Sequence, residues 1–272
     1  MIAPQMRVSA QRSESLPKQL PAYGPAGPPP SPGAGGRSVL EGAFGLLEAV
    51  GRAGEAGLTR LASDCGLPKT TAYRLLEQLA DLGALERCHG SYRMGLQMFH
   101  LGCRWQPHPG LRSAAREPMR RLVELTGVAV GIGVLSKGQT LIVEWTPGES
   151  ALLAPLQSGM TWPWSTAAGK VLVAAACPDP LLGPLPASWR QEAAAIRDRG
   201  VAFNREELVA GVCCAAVPLY GVGGAPVAAL CVATDPAHHL ERLADAARRT
   251  GRVISAGLHG RRTGGNRPSN GI

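Results

Sequence analysis

The chain has 272 residues, 45% hydrophobic and 18% charged, which allows two domains and a buried core. Its net charge of +8 agrees with a nucleic-acid partner, although other classes of basic protein share this feature. Seven cysteines without a Cys-x-x-Cys pair argue against a disulfide framework, and no apolar run is long enough to cross a bilayer. We expect a reduced, cytoplasmic protein without membrane association.

The two ends of the chain are predicted to be disordered tails. Pro, Gly, Ser and Ala dominate residues 1–36, and residues 260–272 are similarly poor in large apolar side chains. Such segments cannot bury enough apolar surface to offset the entropy lost on ordering.

Three helices are predicted after the first tail. Apolar residues recur at spacings of three and four from Leu40 to Val50, with Gly51 as the expected end of the first helix. Thr59 is a candidate N-cap for the second helix, and Pro68 suits the first position of the third.

A hairpin is predicted directly after the third helix. Two short extended runs within Leu85–Met94 flank the turn His89-Gly90-Ser91. Three helices followed by a hairpin predict a winged helix-turn-helix DNA-binding domain over residues 37–95.

The remaining pattern predicts a second, mixed domain. Residues 96–110 are interpreted as a linker helix and a hinge, since Pro107 and Pro109 interrupt the helical pattern. Residues 111–259 combine helices with strands, with predicted helices at 111–126, 167–176, 189–199 and 240–258 and predicted strands at 128–135, 140–145, 212–219 and 225–233. This order predicts an α+β fold with a mainly antiparallel sheet.

The third helix has the two faces of a DNA-reading helix. Its apolar residues point inward and leave a polar outer set, Lys69, Thr70, Thr71, Tyr73, Arg74 and Gln78. Arginine suits guanine edges, and hydroxyls and lysine suit phosphates. The wing adds Arg87, His89 and Arg93 as candidate phosphate contacts. An ordinary solvated helix face fits the periodicity equally well.

Specific motifs resemble the IclR family of bacterial regulators. Leu67–Leu76 resembles the family's recognition-helix segment, and Tyr92–Gly95 with Leu101-Gly102 resembles its wing and linker. Ser165–Lys170, with the sequence Ser-Thr-Ala-Ala-Gly-Lys, resembles its effector-loop motif. Its later signature corresponds to Arg199–Ala202, Glu207 and Gly211–Pro218. The resemblance extends over residues 37 to 258.

This resemblance implies a homodimeric or homotetrameric regulator, more often a repressor, that binds a double-stranded DNA operator. It also implies a GAF-like effector-binding domain for a small organic molecule, often a carboxylate. The residues implied for the pocket are Ala167, Ala168, Gly169, Asn204, Cys214, Cys231 and Ala233. The start of a helix at Ala167 would present free N–H groups to an anion.

The chain departs from the family pattern in ways that make the implied pocket less polar. Asn204 replaces a usual acid, and Cys231 and Ala233 replace usual hydroxyl residues. Trp162 and Trp164 precede the effector loop and add apolar surface. We therefore expect an apolar or aromatic acid as effector. Lys170 is either an anion partner or a structural lysine.

Two other classes of function fit parts of the sequence. Cys213, Cys214 and Cys231 with His238 and His239 suggest a thiol enzyme or a zinc site, but cysteines on a buried strand are usually small hydrophobes. We expect no catalysis, no metal and no cofactor. RNA binding or a scaffolding role remains open, since winged helices also serve these functions.

Overall fold

The computed structural model describes residues 38–150, 156–175 and 182–260. These residues form two compact units, with the division between Pro109 and Gly110. The predicted tails lie outside the described residues, apart from Gly260 at the end of the last helix. No helix in the described part of the chain is long and apolar enough to span a membrane.

The N-terminal unit consists of helices followed by a small sheet and one further helix. In chain order its elements are α1 Val39–Ala53, β1 Glu55–Gly57, α2 Leu58–Cys65, α3 Lys69–Asp81, β2 Leu85–Cys88, β3 Ser91–Met94 and α4 Leu96–Arg104. The strands are antiparallel in the order β1-β3-β2. This arrangement confirms the predicted winged helix-turn-helix and adds β1, which the sequence analysis missed.

Local signals explain where these helices begin and end, and they correct two predictions. Ser38 and Glu41 form a reciprocal capping box at the start of α1. This helix continues beyond Gly51 and ends before Gly54, whose positive φ of 73° stops it. Thr59 is not an N-cap, because β1 ends at Gly57 and α2 already begins at Leu58.

A single apolar core holds the N-terminal unit together. Leu46 and Val50 of α1, Leu61 of α2, Leu76 of α3 and Leu85 of β2 are almost fully inaccessible to solvent. Burying each such leucine contributes about 1.5–3 kcal/mol. The position of α3 therefore depends on the packing of its apolar side.

The C-terminal unit is a six-stranded sheet with helices. Its elements are α5 Leu111–Thr126, β4 Ala129–Ser136, β5 Gln139–Thr146, β6 Thr161–Pro163, α6 Ala167–Ala175, α7 Trp189–Arg199, β7 Ala202–Arg205, β8 Cys213–Tyr220, β9 Pro226–Thr234 and α8 Leu240–Gly260. The strand order is β6-β5-β4-β9-β8-β7, and every pairing is antiparallel. The predicted α+β class is confirmed. The two short edge strands, β6 and β7, were not predicted from the sequence.

The two faces of the large sheet carry side chains of different size. Large aliphatic residues on one face pack with α5 and α8 into the main core, among them Ile132, Val217 and Leu230. The other face packs against α6 and α7 and carries mainly small residues. Strand register places one row of that face across the sheet, consisting of Gly131, Cys231, Ala216 and Ala202. Small side chains here allow α6 to approach the sheet and leave space beside it.

Candidate functional site: a DNA-reading helix and a ligand cavity

The outer side of α3 presents the side chains proposed to read DNA. Lys69, Thr70, Tyr73, Arg74 and Gln78 are exposed, and Thr71 is partly buried. The opposite side packs into the core through Ala72, Leu75, Leu76 and Leu79. The proposed set includes two cations and no carboxylate, which suits a polyanionic partner.

The two carboxylates of α3 are held by the wing. Arg87 Nη2 lies 3.0 Å from Glu77 Oε2 and 2.7 Å from Asp81 Oδ1. Tyr92 Oη donates to Glu77 Oε1 at 2.9 Å, and burial together with this carboxylate raises the pKa of Tyr92 to about 12. The hydrogen bonds from Arg87 and Tyr92 hold the pKa of Glu77 below its usual value. Arg87 therefore neutralises the acidic flank of α3.

The other wing residues occupy different positions. Arg93 is paired with Glu86 across the hairpin, with Nη2 2.8 Å from Oε2. His89 lies exposed in the two-residue turn before Gly90, and both residues have positive φ, as in a type I′ turn. The wing thus presents His89 at its tip, while both arginines form ion pairs within the unit.

A cavity opens on the small-residue face of the large sheet. It encloses about 690 Å³, including the part that opens to solvent, and its accessible wall is almost entirely apolar. Seven of the nine predicted effector residues line it, namely Trp162, Ala167, Ala168, Asn204, Cys214, Cys231 and Ala233. No charged side chain is among the described residues that line it.

The other two predicted residues, Trp164 and Gly169, do not line the cavity. Trp164 packs edge-on against Trp189 of α7, with ring centroids 4.9 Å apart. Gly169 lies against the loop before α6, where an added Cβ would be 2.2 Å from Trp164 O and 2.4 Å from Thr140 Oγ1. Both residues position α6 and leave the ligand surface to their neighbours.

The start of α6 forms part of the cavity wall. Thr166 caps the helix, because its Oγ1 accepts from Gly169 N at 3.0 Å, and its carbonyl accepts from Lys170 N. The amides of Ala167 and Ala168 have no acceptor among the described residues. Ala167 and Ala168 both line the cavity, so the start of α6, with two free N–H groups and the positive end of the helix dipole, lies in the cavity wall.

Asn204 connects this helix start to the sheet edge. Its side chain is almost fully buried on β7, and Nδ2 donates to Ser165 O at 3.4 Å. Asn204 also lines the cavity beside Cys214, its partner in strand register. An amide here supports the effector loop, a role that an acidic side chain would not fill as a donor.

Lys170 does not face the cavity. Its side chain is only 8% exposed, and Nζ lies 2.6 Å from Glu207 Oε2 and 2.9 Å from Glu192 Oε1. Burial lowers the pKa of Lys170, but hydrogen bonds to the two carboxylates outweigh this effect and raise it overall. Lys170 is thus a structural cation that joins α6 to α7 and to the loop after β7.

The cysteines and histidines do not form a reactive cluster. A hydrogen bond to Cys231 and burial raise the pKa of the Cys214 thiol well above its usual value, so it stays protonated. Cys213 packs into the opposite core, and His238 pairs with Asp235 in an exposed turn. The described residues contain no group of metal-ligating side chains.

Eight cavity residues were not predicted from the sequence. They come from β5, from the segment before β6 and from the loop after β7, and they are Ile142, Trp145, Leu156, Gln157, Met160, Leu208, Val209 and Val212. One signal was available: Leu208 and Val209 are adjacent apolar residues in the loop between β7 and β8, directly after two glutamates.

Comparisons with known proteins agree with both units. Residues 39–88 match the model of the IclR helix-turn-helix domain, and residues 185–256 match that of the bacterial transcriptional regulator IclR C-terminal domain. The chain is 26% identical to the regulator BhcR of Paracoccus denitrificans, over 86% of this chain and 91% of that protein. It is also 26% identical to the repressor AllR of Salmonella typhimurium, over 75% and 82%.

Solved structures show the same fold. An IclR homologue from Microbacterium hydrocarbonoxydans in complex with 4-hydroxybenzoate superposes with a TM-score of 0.74 at 23% identity, covering 81% of this chain and 99% of that one. The matched domains and relatives are transcriptional regulators and not enzymes. The chain belongs to the IclR family of bacterial transcriptional regulators.

Proposed function

We propose that this regulator is a cytoplasmic repressor that binds its operator as a homodimer, or as a pair of dimers, and that a small organic acid changes this binding. The exposed face of α3 carries the proposal. In the major groove, Arg74 reads a guanine edge, and Lys69, Thr70, Thr71, Tyr73 and Gln78 contact bases or phosphates. Arg93 and His89 contact the phosphates beside the groove, Arg93 by exchanging Glu86 for a phosphate.

The cavity supports an effector with an apolar body and one anionic end. The free amides of Ala167 and Ala168 provide donors for a carboxylate, and the apolar wall suits a ring or an alkyl chain. The described residues of the wall provide no cation and few polar groups to replace water, so small, highly polar acids would lose more hydration than they regain. The homologue in complex with 4-hydroxybenzoate supports this class of ligand.

Repression and dimerisation rest on separate observations. The relative AllR is named a repressor, which supports the same sign of regulation here. Helix-turn-helix proteins read paired half-sites as dimers. The N-terminal unit exposes large apolar side chains on two helices, Val39, Leu40 and Phe44 of α1 and Leu96, Phe99 and Leu101 of α4. Burial of such surface between two copies would stabilise a dimer.

Footprinting tests the DNA-binding part. The purified full-length chain is expected to protect a site in the duplex upstream of its own gene, and an RNA of the same sequence should not compete. Arg74→Ala is expected to weaken specific binding by about 1–3 kcal/mol and to relax the preference at one base pair. Arg116→Ala removes an exposed cation from the other unit and serves as the control.

The outcomes separate the parts of the proposal. Release of the protected site by aromatic monocarboxylates such as 4-hydroxybenzoate would support an acid effector. Equal affinity for RNA and duplex DNA would contradict operator binding. A loss below about 1 kcal/mol in Arg74→Ala with unchanged preference would assign that side chain to the phosphate backbone.

A further inference from the structure

The indole nitrogen of Trp145 is a buried donor without an acceptor. Among the described residues, the buried side-chain polar atoms without a hydrogen-bond partner are Trp145 Nε1 and Arg112 Nε. Arg112 Nε still lies 2.8 Å from a carboxylate oxygen of Glu144 in an ion pair. Trp145 lines the cavity. A buried N–H that has lost water without gaining an acceptor is destabilising, so such groups in native proteins call for an explanation.

The indole ring of Trp145 lies against a glycine of the neighbouring strand. Trp145 on β5 pairs with Gly131 on β4, and a Cβ on Gly131 would be 2.7 Å from Trp145 Cε3 and 3.0 Å from Cζ3. The missing side chain at Gly131 therefore allows the benzo edge of the ring to rest on the strand. Nε1 belongs to the opposite long edge of the indole, away from the atoms that approach Gly131.

The second set of free donors, the amides of Ala167 and Ala168, belongs to the start of α6, which packs over β4 two residues beyond Gly131. Ala168 at the start of α6 packs over Gly133, where an added Cβ would be 3.1 Å from Ala168 Cβ. Gly131 and Gly133 are two residues apart, which is about 7 Å along a strand. Trp145, Ala167 and Ala168 all line the cavity, so two parts of its otherwise apolar wall carry an N–H group without a partner among the described residues.

Two other polar side chains of the wall, those of Thr166 and Asn204, already have partners, and that of Gln157 is exposed. Thr166 Oγ1 accepts from Gly169 N and lies 3.0 Å from Thr140 Oγ1, and Asn204 Nδ2 donates to Ser165 O. No acidic side chain among the described residues lines the cavity to accept from the indole. A ligand in the cavity can bring an acceptor for Trp145 Nε1.

We propose that Trp145 is a specificity-determining residue that donates a hydrogen bond from Nε1 to the effector, at the end opposite its carboxylate. The effector is then a monocarboxylate with an apolar body and a carbonyl or ether oxygen at its far end. This inference rests on the proposed effector site at α6 and deepens it.

Matched pairs of acids test the inference. Each pair exchanges one methylene for a carbonyl: 4-ethylbenzoate with 4-acetylbenzoate, and hexanoate with 5-oxohexanoate. Calorimetric titration of the full-length chain is expected to show about fivefold to tenfold tighter binding of the keto acids, since a neutral hydrogen bond contributes about that factor. The Trp145→Phe variant should bind both members of a pair equally.

Trp162→Phe is the control, since it removes an indole from the same wall whose nitrogen is not among the unsatisfied atoms. It should retain the preference for keto acids. In the unaltered protein, the indole ¹H–¹⁵N resonance assigned to Trp145 should move downfield with a keto acid but not with its partner.

Three results would overturn the inference. Equal affinity within both pairs would contradict it while leaving the acid site intact. A keto preference that survives in Trp145→Phe would assign the acceptor to another donor. Binding of neither pair to the unaltered protein would contradict the proposed effector class and this inference with it.

Discussion

The buried ammonium of Lys170 gives a prediction with an unusual order of stabilities. Its two partners, Glu192 and Glu207, are 41% and 48% exposed, whereas the lysine side chain is 8% exposed. Replacing either glutamate by glutamine leaves one carboxylate in place and should cost about 1–2 kcal/mol. Replacing both leaves a buried charge unpaired and should cost about 3–5 kcal/mol. Lys170→Met should cost about 1 kcal/mol or less, because the freed carboxylates can be hydrated.

Urea unfolding followed by tryptophan fluorescence measures this series. Four of the five tryptophans lie in the C-terminal unit, so the signal reports on the unit that contains Lys170. The double glutamine variant should have the lowest urea midpoint, and the slope of the unfolding free energy against urea concentration should be the same in all variants. A Lys170→Met variant less stable than the double variant would refute the reasoning, because packing of the lysine stem would then outweigh its charge.

The same cluster predicts a dependence on pH at the alkaline end. The pKa of Lys170 is raised in the folded state, so folding favours the protonated form. This contribution is complete below the unfolded pKa of lysine, about 10.4, and is lost as pH rises through the folded value. Lys170→Met should remove that part of the alkaline loss of stability.

Two further substitutions test other contacts. Gly169→Ala should destabilise the C-terminal unit by about 1–3 kcal/mol, because the added methyl meets a backbone carbonyl. Thermal unfolding measures this loss, with Gly223→Ala as the control, since a Cβ at Gly223 would contact no other atom within 4 Å. Arg87→Gln should weaken DNA binding at all sequences, and gel shifts should recover when Glu77→Gln and Asp81→Asn are added, if Arg87 acts by neutralising α3. Failure to recover would make Arg87 a direct phosphate contact.

Local patterns carried the prediction of the N-terminal unit. The outer face of α3 follows from helical spacing alone, because each position is set by its neighbours three and four residues away. The turn at His89-Gly90 was equally local. β1 was missed because three residues are too few to show alternation, and its pairing with β3 is decided by the fold.

The cavity was less accessible to sequence reasoning because its walls meet only in three dimensions. Trp162 and Trp164 look equivalent in the sequence, yet one lines the cavity and the other packs on Trp189, 25 positions along the chain. Trp145 lies in a predicted strand, and only the register opposite Gly131 shows where its ring rests. The family resemblance supplied pocket positions on β7, β8 and β9 but none on β5.

The two faces of the large sheet have different roles: one packs into the main core, and the other lines the cavity. In β9, Leu230 and Val232 point into the main core, whereas Cys231 and Ala233 point into the cavity. Substitutions at the cavity-facing residues can therefore change the ligand preference without loosening the packing of the main core on the other face of the sheet. A library of variants restricted to the cavity-facing positions could therefore be screened for altered ligand preference while the side chains of the main core stay unchanged.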